Sequence, residues 1–146
     1  YAAILREVWR GRVAFADLLQ SVESLARRWN QDEKLSHVII ENASSGRAGV
    51  QMLRLQAPAW LAPLIQPFPV HQSKDERARV ASVPMRNGRF WLPEPSESTP
   101  WLFDFEDELY AVPSGRFRDQ TDATAQGVIF LQNYLREPGD VGIEAA

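Results

Sequence analysis

The sequence contains no cysteine, which excludes disulfides and thiolate metal sites and leaves the redox compartment unmarked. Histidine is nearly absent. His37 and His71 stand apart with no ligand spacing around either, so imidazole-bound zinc is not supported. Any metal would rest on carboxylate oxygen, which selects hard cations. No apolar run approaches the roughly 20 residues of a membrane span, and the first residues lack the charged and apolar zones of a leader. These absences give the expectation of a soluble, intracellular chain. The phosphate-cradling pattern G-x-x-x-x-G-K-[ST] and the nucleophile elbow G-x-S-x-G are both missing. Lys34 and Lys74 are the only lysines among 16 basic residues, so arginine carries the positive charge. A net charge of −3 argues against a general nucleic-acid coating protein, although local patches can still hold a backbone.

What remains is ample for a core: 146 residues, 45% of them hydrophobic, with five tryptophans and seven phenylalanines. The opening "YAAILREVWRG" reads as a strand ending at Gly11, in what looks like a piece of something longer. "FADLLQSVESLARRW" carries Leu18, Val22, Leu25 and Trp29 at helical spacing, which predicts a helix over about 15–29. "HVIIE" is a short buried strand ending in an acid. "SSGRAGVQMLRLQ" follows as an amphipathic helix capped by Ser44 or Ser45. "PLIQPFPV" reads as a third strand, at an edge or irregular, because Pro67 and Pro69 each remove a ladder donor. "KDERARVASVPM" predicts a helix broken near Pro84, then an "NG" turn and a short strand "RFWLP". In "STPWLFDFEDELYAVP", Ser98 or Thr99 caps a helix with Pro100 at its first position and Trp101, Phe105 and Leu109 on one side. The last helix starts near Asp119 and fades by Pro138. Strands alternating with helices indicate an α/β domain over 1–137, with 138–146 as a loose tail and no internal repeat.

Three acids draw attention. Glu41 closes a buried strand, and Asp119 and Asp122 open the last helix, three residues apart and so on one face. Two explanations stand side by side. Acids in a first helical turn meet unsatisfied N–H groups and the positive end of the dipole, and on spacing alone capping is the commoner reason for such a pair. The other is a divalent-cation site at the rim where strand ends and helix starts gather. Acids facing one another there would repel, raising the pKa of at least one.

Four segments taken together, "VIIENASSG", "KDERARVASVPMRNGRFWLPE", "PWLFDFEDELYAVPSG" and "RDQTDATAQGVIFLQNYL", resemble the C-terminal nuclease domain of tailed-phage terminase large subunits. That family reads E-D-K-x-S-G, a K-x-x-R helix leading to G-R-V-x-L-P, W-x-x-x-F-x-x-E-L, and H-D-D-Q-x-D-A, in the same order and at similar separations. The resemblance implies an RNase H-like mixed sheet flanked by helices. It implies cleavage of concatemeric double-stranded DNA during viral genome packaging, with Mg²⁺ or Mn²⁺ in a two-metal site. By position, Glu41, Asp119 and Asp122 would be the catalytic, metal-binding acids, and Lys74 and Arg77 phosphate contacts. Terminase small subunit and portal protein would be the partners, in the cytoplasm of a bacterial host.

There are departures. Asn42, Ala43 and Phe117-Arg118 stand where Asp, Lys and His-Asp are common. The family's first metal-binding Asp lies on a strand before the point where the resemblance begins, and Asp17, the only early aspartate, falls inside a helix. These 146 residues alone are therefore expected to cut little DNA. The departures also keep open a non-catalytic prophage remnant that binds DNA or a packaging partner. A resolvase-like nuclease acting on branched DNA is the third reading.

Overall fold

The computed structural model describes residues 2–32, 35–42 and 46–135, residues 15, 32, 46 and 47 by their backbone alone. Among them are five α-helices, one 3-10 turn and two small parallel sheets of two strands each, a mixed α/β architecture. No described helix is long and apolar enough to cross a membrane. The chain sorts into two compact units, one of residues 11–71 and one of residues 1–10 with 72–146.

The 11–71 unit begins with α1 (Phe15–Asp32), three residues longer than its apolar periodicity predicts. Its inner stripe centres on Ala26, with Leu18 and Leu19 packed against the same core. β2 (Val38–Asn42) lies where "HVIIE" places it, and α2 (Gly46–Gln56) follows. The serines expected to cap α2 lie outside the described residues. A 3-10 turn at Ala62–Leu64 leads into β3 (Ile65–Pro69), which pairs in parallel with β2 from Val38↔Ile65 to Asn42↔Pro69. Pro67 and Pro69 sit two residues apart, so both missing donors face one side of the strand, the side away from β2. Ile65 is in the same phase, and its carbonyl accepts from Arg54 Nε at 2.6 Å. Leu61 and Ile65, both fully buried, form the centre of this core with Val50 and Leu53.

In the other unit, β1 is only Ala3–Ile4, far shorter than the strand expected to run to Gly11. Its partner β4 is the pair Phe90–Trp91, cut short by Pro93, and a strand exists only as long as it has something to pair with. α3 (Lys74–Arg86) does not break at Pro84 but runs through it. The proline sits in the last turn, where it removes one hydrogen bond, to the Val80 carbonyl, and only two helical residues follow it. The stop comes two residues later. Arg89 N–H donates to Pro84 O, and Gly88 N–H to Met85 O, closing a Schellman turn with Gly88 at φ 68°. α4 (Leu102–Tyr110) starts two residues after the expected Pro100 position. The Thr99 hydroxyl instead ties the preceding turn, accepting from Ser96 N–H at 2.8 Å. The buried stripe of α4 is Leu102, Phe105 and Glu108, displaced from the Trp101, Phe105, Leu109 line that periodicity suggests. α5 (Asp119–Tyr134) packs Ala125 and Val128 against Ala81 of α3, with Met85 and Phe90 alongside. The tail from 136 onward lies outside the described residues.

The Gly88 turn sets the exit of α3 toward β4. A Cβ at this position would meet no atom within 4 Å, so Gly88→Ala carries only the left-handed backbone penalty. Urea unfolding should show a loss of about 1 kcal/mol; an unchanged midpoint would mean that the turn does not set the end of the helix.

Candidate functional site

α3 opens with a capping box. Ser73 Oγ accepts from Glu76 N–H at 3.2 Å, and the Glu76 carboxylate accepts from Ser73 N–H at 2.7 Å. The Ser73 backbone N–H, and after it the Ser73 hydroxyl donating to Glu76 Oε2 at 2.9 Å, lower the Glu76 pKa. The box fixes the first turn, and with it Lys74 and Arg77, three residues apart on one face. Cations in a first turn oppose the helix dipole; Asp75 and Glu76 of the same turn offset them in sum, and two further acids reach Lys74 and Arg77 from across the seam.

α5 supplies them. Arg77 Nε donates to Asp122 Oδ1 at 2.7 Å and Nη2 to Oδ2 at 2.6 Å, a two-pronged pair whose members are 3% and 5% exposed. Arg77 Nη1 donates to Gln72 O at 2.7 Å, and Gln126 Nε2 donates to Asp122 Oδ2 at 3.3 Å. One turn outward, Lys74 Nζ donates to Asp119 Oδ1 at 2.9 Å and stands 3.9 Å from Asp122 Oδ2. The Asp119 side chain is 84% exposed. The hydrogen bond from Lys74, and then its charge, lower the Asp119 pKa, with a smaller push from Arg10. Among acids expected to repel one another, Asp119 thus shifts downward, because a lysine faces it. Arg118 pairs with Asp75 of α3 and adds a further tie between the two helix starts.

The capping explanation for the aspartates also changes form. The residue at the N-cap of α5 is Arg118, with no side-chain cap bond, and Asp119 is already helical. The cap comes from α4. Glu108, 7% exposed, accepts from Thr121 N–H at 2.9 Å and from Gln120 Nε2 at 2.8 Å, placing a carboxylate on the positive end of α5. Spacing held a sign of this role, since Glu108 lies three residues after Phe105 on the apolar stripe of α4. Gln120 and Gln126 left no such sign.

Each expected site residue can now be placed. Lys74, Arg77, Asp119 and Asp122 come together at the α3–α5 seam as two ion pairs. Arg77, expected at a phosphate, is buried against Asp122, and both oxygens of Asp122 are taken by the guanidinium. Glu41 belongs to the 11–71 unit, exposed on β2 in register with Phe68. Its neighbour Asn42 keeps a buried Oδ1 with no hydrogen-bond partner among the described residues. Ala43 lies outside them. Among the described residues no three His, Asp or Glu side chains gather as a metal group. No known family model, no curated protein and no solved structure matches the chain.

The two ion pairs should respond differently to substitution. Arg77→Ala or Asp122→Asn strands a buried charge or breaks its fork and should cost about 3–5 kcal/mol in chemical denaturation. Lys74→Met, at an exposed pair, should cost under about 1 kcal/mol. Its contribution is present at neutral pH and fades as pH falls through the lowered Asp119 value, since protonation removes the charge that Lys74 holds. Equal losses at both pairs would show that burial does not grade the seam.

Proposed function

We propose that this chain is part of an RNase H-like nuclease domain of the terminase large-subunit type, cutting double-stranded DNA with Mg²⁺ or Mn²⁺ during viral genome packaging. The observation that carries the reading is a convergence. Three of the four segments on which the resemblance rests meet at one place, the start of α5: the K-x-x-R turn of α3 through Lys74 and Arg77, the E-L end of α4 through Glu108, and α5 itself. They are separated by up to 45 residues, and independent surface motifs would have no reason to touch.

The residues fit a hard divalent cation unevenly. Asp119, an exposed carboxylate held ionised by Lys74, would suit such a cation as a ligand, and so, within its own unit, would the exposed carboxylate of Glu41. Asp122 does not fit as a direct ligand, because both of its oxygens accept from Arg77 in a buried fork. Its part is to anchor the first turn of α5 and so aim Asp119. When bound, divalent cations activate an attacking water and stabilise the leaving oxygen of a phosphodiester. Lys74, at the solvent edge of the seam, can pair with a phosphate only by giving up Asp119. Terminase small subunit and portal would be the assembly partners under this reading.

One observation favours the second reading, a non-catalytic remnant: Lys74 and Arg77 already neutralise both aspartates within the fold. Metal separates the two. Millimolar Mn²⁺ should raise the melting temperature of the wild-type chain but not of Asp119→Asn. In the natural gene product, Asp119→Asn or Glu41→Gln should lower Mn²⁺-dependent cutting of linear duplex by about a thousandfold. Cutting at the wild-type rate by either variant would end the nuclease reading, and a preference for four-way junctions over linear duplex would move it to the resolvase type.

A further inference from the structure

With Lys74, Arg77 and Arg118 each committed to an acid, the positive groups left to meet an anionic partner near Asp119 are others. Two are conspicuous. The guanidiniums of Arg10 and Arg116 lie over the ring of Phe117, with Cζ 5.3 Å and 5.4 Å from its centroid. Both arginines are exposed, and Phe117 itself is 51% exposed. An arginine resting on an aromatic face keeps its full charge, and its N–H groups point outward in the ring plane of the guanidinium, where an anion can take them.

We infer that Arg10, Arg116 and Phe117 form a docking patch for single-stranded nucleic acid, the two arginines taking successive backbone phosphates and the Phe117 ring stacking an unpaired base. The occupant follows from the chemistry of the patch. Two cations call for an anion of more than one charge, and the half-exposed ring they cover, once a guanidinium leaves it for a phosphate, offers its face to a planar group on the same molecule. A strand with an unpaired base offers both. A duplex hides its base faces, and an acidic peptide would satisfy the arginines while leaving the ring uncovered. The patch also borders the proposed cutting site: Phe117 is two residues before Asp119, and the charge of Arg10 reaches that carboxylate. The choice of nucleic acid as the anion rests on the nuclease reading. The position that departs from the family's His-Asp pattern thereby acquires a role of its own.

Fluorescence anisotropy with a labelled thymidine oligonucleotide tests this, using the same sequence as a duplex and poly-glutamate as competitor, at several salt concentrations. All three side chains are exposed, so the variants should fold, which circular dichroism checks. The wild type should bind the single strand more tightly than the duplex. Phe117→Ala should weaken single-strand binding about tenfold with the salt dependence unchanged. The double variant Arg10→Gln/Arg116→Gln should reduce the slope of log K against log salt by about 1.4, two phosphates' worth for a single strand. Wild-type affinity in both variants, equal affinity for single strand and duplex, displacement by poly-glutamate as effective as by oligonucleotide, or no binding by the wild type would each overturn the proposal. Mn²⁺ melts of the same proteins keep the two ideas apart. A metal shift that depends on Asp119 alongside a failed patch leaves the nuclease reading standing, whereas an intact patch without any metal shift removes that reading alone.

Discussion

The buried fork between Arg77 and Asp122 is the constraint on which the rest of this unit turns. Two full charges taken out of water are tolerable only when each saturates the other, and here the fork, the Gln72 carbonyl and the Gln126 amide meet that demand together. Because the Nε and Nη2 edge of the guanidinium donates to both carboxylate oxygens in one plane, and Nη1 is held by the Gln72 carbonyl, the pair constrains both the separation and the rotation of α3 against α5. The apolar contacts of Ala81 with Ala125 and Val128 would tolerate sliding; the fork does not. Charge on this seam is graded from buried to exposed. The inner pair holds the helices, and the outer pair, Lys74 with Asp119, inherits its position from the inner one while staying open to solvent.

Helix starts concentrate the electrostatics of the site. The first turn of α3 is satisfied by its own capping box, and it carries the cations Lys74 and Arg77 beside the acids Asp75 and Glu76. The first turn of α5 has no cap of its own, and it carries two acids that its dipole favours. α5 pairs its acids with Lys74 and Arg77 of α3, and Glu108 from α4 stands in for the cap that α5 lacks. Three helices are thus bound to one another at the point where the chain of α5 begins, through polar contacts placed where backbone N–H groups would otherwise be unsatisfied.

Much of this was legible in the residues, in proportion to how local the cause was. β2 and α1 follow from runs of apolar side chains, and Pro67 and Pro69 show which side of β3 lacks donors. Lys74 with Arg77 and Asp119 with Asp122 could each be picked out as a pair on one face. That the pairs face each other could not, because nothing within either segment encodes a partner 45 residues away. The same limit hid the length of β1, which β4 sets. Pro84 misled for a different reason: proline disrupts a helix interior, yet in a last turn closed by Gly88 its cost is slight. Glu108 was the missed signal, an acid on an apolar stripe, which is a position that only a specific buried acceptor role makes sense of.

The two prolines of β3 have a consequence for how this molecule behaves among its own copies. An edge strand ordinarily offers alternating donors and acceptors to any extended chain that drifts past, which is how sheets recruit strangers and how aggregates begin. On the outward side of β3, two successive donor positions are blank and the Ile65 carbonyl is already claimed by Arg54. A passing strand would find acceptors it cannot fully use and no donor in reply at Pro67 or Pro69. The two-stranded sheet is therefore closed to growth along that edge by its covalent chemistry, with no covering helix required.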